Sequence, residues 1–260
     1  MNSIASVFRF FGNVDKPTRF IVAGIWLGAF FLLWVFSPIK ALPYPKEVVA
    51  ALGEMLHKDL AYNTFVTLKL NIVGLLYASV LSLVFTYISV IPALQPLNKT
   101  VQWLRYIPII GFNLVFLTLF TLGWPMKVAM MTTGMTFFLT TGMTSVVTSI
   151  PKMKFELARV LGYGDFQVFY TVVVRPTLPK MVEQVAQNAA IGWVMVTSIE
   201  TYNRTEGGIG AQIYAYSSTN QLAHVYGLLL VIGVIAILED VTFTVLNRVL
   251  FPYSTIAERG

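Results

Sequence analysis

Long uncharged runs, each near the thickness of a bilayer, alternate with short polar segments along this chain. Residues 20–39 are 20 uncharged positions between Arg19 and Lys40, about 30 Å at helical rise and so one hydrocarbon core. This predicts span 1. A second uncharged run, from Leu70 to Asn98, meets Pro92 and Pro96, which sets span 2 at residues 64–90. Span 3 is expected between Arg105 and Lys127, and span 4 between Lys127 and Lys152. Gly123-Trp124-Pro125 reads as the tight turn joining them, with Trp124 suited to the interface. Residues 184–199 give only 16 uncharged positions, so span 5 borrows residues upstream, around Lys180 or Met181. Span 6 covers residues 225–246 and is interrupted by Glu239-Asp240. The pattern therefore predicts an all-α polytopic membrane protein with six spans. Segment 1–19 precedes a transmembrane region 20–250, which carries a loop at 151–179, and a tail 251–260 follows.

The polar segments predict structure of their own. Leu42-Pro43-Tyr44-Pro45 is an extended stop, because proline biases its predecessor away from helix. A short helix at residues 46–57 follows, with Pro45 in its first turn. Val48, Val49, Leu52 and Leu56 share one face, which suits a helix lying on the outer leaflet. Glu206-Gly207-Gly208-Ile209-Gly210 must be a turn.

Charge orients this frame. With the N-terminus inside, the cytoplasmic segments hold twelve basic residues, including Arg9, Lys99, Arg105, Arg175, Lys180, Arg248 and Arg259, against five outside. The five are Lys40, Lys46, Lys58, Lys127 and Arg204, with Lys69 near the outer end of span 2. That is the asymmetry of the positive-inside rule. Composition agrees: 56% of residues are hydrophobic and 12% charged, against about 25% charged in soluble proteins. The net charge of +6 belongs to topology. Its residues are scattered between apolar runs, which excludes a nucleic-acid face. Segment 1–19 is polar and basic, and the apolar run after it has no small-residue cleavage site, so it reads as a retained span.

Chemistry is mostly excluded. The chain has no cysteine and two histidines, which argues against disulfides, thiolate chemistry and a catalytic metal. No Gly-Lys dipeptide occurs, so there is no phosphate-binding loop. No Ser/His/acid arrangement has local support.

Loop 151–179 is the informative segment. Residues 152–161 read as a short helix, with Phe155, Ala158 and Leu161 on one face and Gly162 as a left-handed terminator. Asp165 is placed to cap a second short helix, 166–174, and Pro176 and Pro179 mark the start of span 5. A generic cytoplasmic loop with an amphipathic helix is the alternative reading of these residues.

Glu156-Leu157-Ala158, then Gly162, then Leu178-Pro179, resembles the coupling ("EAA") loop of type I ABC importer permeases, with Leu157 and Tyr163 where the family has small residues. Leu42-Pro43-Tyr44-Pro45-Lys46-Glu47-Val48, Arg105-Tyr106-Ile107-Pro108, Leu122-Gly123-Trp124-Pro125 and Glu200 with Gly207-Gly208-Ile209-Gly210 are similar to family segments in the same order, across residues 40–250. The nitrate/sulfonate/taurine class is the nearest. The resemblance implies a homodimeric permease in a bacterial inner membrane, both termini cytoplasmic, importing a small anion such as nitrate, a sulfonate or taurine. It implies separate ABC ATPase subunits that hold the ATP and magnesium, and a substrate-binding protein. This chain would hold no cofactor and catalyse nothing itself. The coupling residues would be Phe155, Glu156, Leu157, Ala158, Arg159, Leu161 and Gly162. Phe155 and Leu161 would anchor the helix in the ATPase, Ala158 and Gly162 would allow close approach, and Glu156 and Arg159 are spaced to pair.

Within the membrane, Thr132, Thr136, Thr140 and Thr144 repeat every four residues along one face. Such a stripe lines a path or bonds its own backbone. Glu200, at the outer end of span 5, is either functional or a solvated terminus. Glu239-Asp240 needs a cationic or polar partner, with Arg175, Lys180 and Arg248 as candidates. Asn71, Asn113 and Asn188 suit interhelical bonding, and Asn113 joins the path candidates. Two other readings stay open. A self-contained secondary transporter would show similar halves and mid-span charges; a membrane scaffold would not need the coupling loop.

Overall fold

The computed structural model describes residues 15–38 and 42–252. Arg9, Lys40 and Arg259, with most of segments 1–19 and 251–260, lie outside them. The described chain is helical throughout: α1 Lys16–Val35, α2 Pro45–Leu56, α3 Leu60–Ile88, α4 Gln95–Trp103, α5 Asn113–Leu119, α6 Trp124–Thr148, α7 Lys152–Val160, α8 Asp165–Val168, α9 Arg175–Tyr202, α10 Ile209–Ser218 and α11 Leu222–Leu250.

The core is three long helices. α3 packs along α6, and α9 packs on both. Leu70, Leu75 and Ala78 of α3, the Met-rich face of α6 (Met126, Met130, Met131, Met135, Met143) and Trp193, Val196 and Ile199 of α9 form one buried cluster. Lipid is as apolar as these side chains, so close packing and interhelical hydrogen bonds hold such a bundle, and small residues permit both. At Gly74 a Cβ would overlap the Met131 side chain, which is why α3 and α6 approach so closely.

Among the described residues, three helices are long and apolar enough to cross a membrane: α1 from Pro17, α3 and α11. α6 and α9 are long but carry the polar residues that the bundle buries, so length and apolarity alone do not mark them. The expected third span is not one straight helix. The segment Pro92–Tyr106 and the segment Ile109–Leu119 meet at a 95° bend. Pro108 lacks an N–H and drives Ile107 into extended backbone (ψ 123°), which breaks the helix.

α1 starts earlier than the uncharged run, at Lys16, and ends before Ser37-Pro38. Phe20, Trp26, Phe30 and Leu33 are exposed on it. α2 does not lie free on a leaflet. Its Val48, Ala51 and Met55 are buried and pack against α11, while Val49 and Leu56 point outward. The buried face thus keeps Val48 and Leu52 of the expected one but is rotated by roughly a fifth of a turn toward Ala51 and Met55. Two ends can be named. The loop end carries α7, α8 and the close of α11; the glycine end carries residues 206–210.

Pro176 sits in the first turn of α9, where the sequence places the start of span 5, but no loop separates that helix from α8. α8 runs through a π-helical stretch, Phe169–Val174, directly into α9, with Pro179 inside the helix. A proline removes one backbone donor and crowds the preceding turn; the wider π turn just upstream accommodates both prolines. Thr177 returns a donor by bonding the Val173 carbonyl at 2.7 Å.

Candidate functional site

At the loop end α7 stands out from the bundle on a two-point support. Ala158 is buried and Phe155 half-buried, against Val168, Val172 and Ile150. The helix ends in a full Schellman motif: Gly162 N–H donates to the Arg159 carbonyl (2.9 Å) and Tyr163 N–H to the Ala158 carbonyl (3.1 Å). Gly162 adopts φ +81° to do so, as the sequence predicted. The second helix is capped differently from expectation. Gly164 is the cap, its N–H donating to Gln167 Oε1 at 3.1 Å, and Asp165 is the first helical residue.

The face that α7 presents is also different. Phe155 is turned onto the chain itself, so it does not join Leu161 as an outward anchor. Met153, Leu157, Val160 and Leu161 are the exposed apolar residues, Val160 at 84%. Their i, i+4, i+7, i+8 spacing makes one stripe. Leu157, read from sequence as a departure, sits at its centre. Glu156 is exposed and does not pair with Arg159. The guanidinium of Arg159 instead approaches Asp165 at 3.9 Å.

A polar cleft opens beside this end. α4 contributes Gln95, Asn98, Lys99 and Gln102, and α6 contributes Thr141, Thr144, Ser145 and Thr148, with Ser89 at the close of α3. Both sets are spaced i, i+3, i+4, i+7, so one face of each helix is polar. Asn98 joins them: its amide donates to the Phe85 carbonyl (2.8 Å) and lies 3.3 Å from the Thr144 hydroxyl, and its carbonyl accepts the Gln102 amide. The α9 side is polar too, since Gln184 lies against Gly142, where a Cβ would overlap its amide.

The threonine stripe is therefore divided. Thr144 reaches the cleft. Thr136 bonds the Thr132 carbonyl at 2.7 Å, and Thr136 and Thr140 are buried inside the bundle at 3% and 0% exposure. The hydroxyls of Thr132 and Thr140 and the carbonyl of Asn113 have no hydrogen-bond partner among the described residues. The open face of α6 is rotated from the predicted one. The signal for it, polar residues at 95/98/99/102 and 141/144/145/148, was present in the sequence but hidden behind two prolines and a more regular threonine repeat.

At the glycine end a second cluster is fully enclosed. Glu200 is completely buried, not a solvated terminus. Its carboxylate accepts the Thr67 hydroxyl (2.8 and 2.9 Å) and the Gly210 N–H (2.9 Å). Lys127 is no loop residue either. It is completely buried in the first turn of α6, and its ammonium donates to the Gly207 carbonyl at 3.1 Å. Asn63 accepts the Gly208 N–H at 2.7 Å, and Glu206 accepts the Trp124 N–H at 2.8 Å. Four elements are thus tied to one turn. Gly207 (φ +74°) and Gly208 (φ +110°) make it possible, and a Cβ at Gly208 would overlap the Glu200 carboxyl.

Midway along α11, Glu239 takes none of the three expected cations. It accepts from the Trp193 indole (2.6 Å) and the Asn71 amide (3.1 Å), while Asp240 is exposed. Asn71 thus bridges helices as expected, whereas Asn188 bonds the Gln184 carbonyl of its own helix at 2.8 Å. Among the described residues no group of three or more His, Cys, Asp or Glu could hold a metal.

The fold is similar to a chain of the MetNI methionine ABC transporter in inward-facing conformations, with TM-score 0.62 and 19% identity over 75% of this chain and 98% of that one. It is also similar to a chain in the crystal structure of an amino acid ABC transporter with histidines, with TM-score 0.56 and 14% identity over 76% and 96%. At these identities the likeness is one of fold. No curated protein matches the sequence. The profile of one family, the binding-protein-dependent transport system inner membrane component, matches residues 64–253. That region holds loop 151–179, the polar cleft and the glycine-end turn, and it is most of the chain: this multi-pass membrane protein belongs to that family, the permease subunits of ABC importers.

Proposed function

We propose that two copies of this chain form the solute path of an importer, and that α7 seats in a groove of a separate ATPase subunit. The single observation that carries the reading is the exposed stripe Met153, Leu157, Val160 and Leu161 on a helix whose other face is fixed by Ala158. An apolar helix face that no described residue covers, beside the start of a long helix, suits docking into a partner's groove. Because α8 continues into α9 without a break, movement of the ATPase dimer at α7 would pass along α9 to the glycine end. The loop end is then cytoplasmic, in a bacterial inner membrane, and a substrate-binding protein delivers solute at the glycine end. ATP and magnesium belong to the ATPase. The path runs over the polar faces of α4 and α6, and its substrate is a small anion of the nitrate, sulfonate or taurine kind.

Co-purification with the ATPase encoded beside this permease tests the reading. Wild-type chain retains the ATPase; Leu157→Asp and Val160→Asp lose it while keeping the wild-type Tm. Gly162→Arg and Glu156→Lys weaken capture less, since neither residue lies on the apolar stripe. Undiminished capture in both aspartate variants would sink the docking role of α7.

A further inference from the structure

We infer that the cleft between α4 and α6 is an anion subsite in which Lys99 selects the charge of the solute. This deepens the path reading above and rests on it. The cleft holds about 470 Å³, within the range of about 300–1,000 Å³ usual for small-molecule sites. Every residue that lines it carries a hydroxyl, an amide or, at Lys99, an ammonium, set among the apolar stems of the same side chains, and none carries a carboxylate. Hydroxyl and amide groups donate equally to any oxygen-rich solute, so they give no preference between an anion and a neutral molecule. Lys99 does. It is exposed on the cleft wall, where it forms charge-assisted bonds with an oxyanion and repels a cation.

The wall around it is fixed in advance. Asn98 is 2% exposed, and its bonds to Phe85, Thr144 and Gln102 hold the two helix faces in register. Asn98 thereby positions Thr144 and Gln102 beside Lys99, one residue along the same helix. The carboxylate of Glu183, on neighbouring α9, does not line the cleft; it accepts the Asn247 amide of α11 at 3.3 Å. The ammonium of Lys99 thus faces a cleft with no counter-charge in its walls, which is the arrangement a singly charged oxyanion completes.

Saturation-transfer NMR on the full chain in phosphatidylcholine nanodiscs tests this with methanesulfonate, and with dimethyl sulfone as its neutral isostere. Methanesulfonate gives a signal with wild type and with Lys99→Arg. The signal weakens about tenfold in Lys99→Gln, the scale of losing one charge partner in a polar site. Lys154→Gln, on α7, leaves it unchanged, and dimethyl sulfone binds weakly throughout. Equal signals from wild type and Lys99→Gln overturn the inference, as does no signal from wild type or equal binding of the neutral isostere. Loss of the signal on adding phosphatidylglycerol would assign the cleft to a lipid headgroup and also overturn it. ATPase capture by the same samples keeps the readings separate: chains that hold the ATPase but ignore the anion lose only the subsite.

Discussion

The hydroxyl of Thr67 and the carboxylate of Glu200, 133 residues apart, meet at 2.8 and 2.9 Å in a fully buried site. Thr67 works in both directions, because its oxygen also accepts the Ile209 N–H at 2.8 Å. One side chain of α3 thereby joins α9 to the first turn of α10. The Gly210 N–H completes the set on Glu200, so the donors of a tight turn are satisfied where water is scarce. Leaving such groups unmade near lipid is costly, and this sets the first prediction.

Thr67→Val should lower thermal stability in detergent by about 1–3 kcal/mol, the usual cost of stranding buried polar groups, because it leaves both the Ile209 N–H and part of the Glu200 carboxylate without partners. Gly208→Ala should be worse. The position needs φ +110° and has no room beside Glu200 for a methyl group. Differential scanning fluorimetry reads both. A wild-type Tm in Gly208→Ala would show that the turn does not sit against Glu200.

The bundle was legible because its signals are local. Uncharged runs gave α1, α3 and α11, and the Gly162 terminator was read from the glycine alone. What was missed depends on rotation and on partners. Phe155 and Leu161 are spaced like one face, but a helix of so few turns has ambiguous faces until Val168 and Val172 choose one. Lys127 looked like a loop charge because it interrupts an apolar run. The Gly207 carbonyl, 80 residues on, receives its ammonium, with the Glu200 and Glu206 carboxylates nearby, and none of these is adjacent in sequence. Glu239 reads as a group in need of a partner and Glu200 as either functional or a solvated terminus, and nothing in the sequence marks Thr67 or Trp193 as their donors.

The two faces of α7 should separate stability from coupling. Phe155→Ala and Ala158→Asp disturb contacts with Val168 and Val172, and should loosen the helix by about 1–3 kcal/mol. Leu157→Asp changes a side chain that is 58% exposed, and should cost less than about 0.5 kcal/mol. Hydrogen exchange of the α7 amides distinguishes them: faster for the first pair, unchanged for the last. Equal protection in all three variants would mean that the helix has no inner face.

Gly162→Ala isolates backbone conformation. No atom lies within 4 Å of the Cβ it would add, so crowding plays no part. The cost is the left-handed φ of +81°, about 1 kcal/mol for a residue with a Cβ, and Gly162→Asn should cost less. The Tyr163 amide, bonded to Ala158 at 3.1 Å, should exchange faster in the alanine variant. Unchanged exchange there would mean that the Schellman motif does not close the helix.

Glu239 offers a test of whether a half-buried carboxylate in α11 is held by neutral donors alone. It accepts the Trp193 indole and the Asn71 amide. Glu239→Gln keeps an acceptor oxygen for the indole, so it should leave stability within about 0.5 kcal/mol of wild type, the ordinary range for a retained hydrogen bond. Glu239→Leu strands the indole N–H, and Trp193→Phe removes the closest donor while leaving the carboxylate in place. The double variant removes both partners and strands neither, so it should be less destabilised than the two single effects combined. Interhelical hydrogen bonds in membranes couple by about 0.6 kcal/mol on average and up to about 1.7. With a donor–acceptor distance of 2.6 Å, this pair belongs near the upper figure. A double-mutant cycle from unfolding in mixed micelles measures the coupling directly. A coupling of zero would mean that Trp193 packs beside Glu239 without bonding it, and that the carboxylate draws its stability from elsewhere.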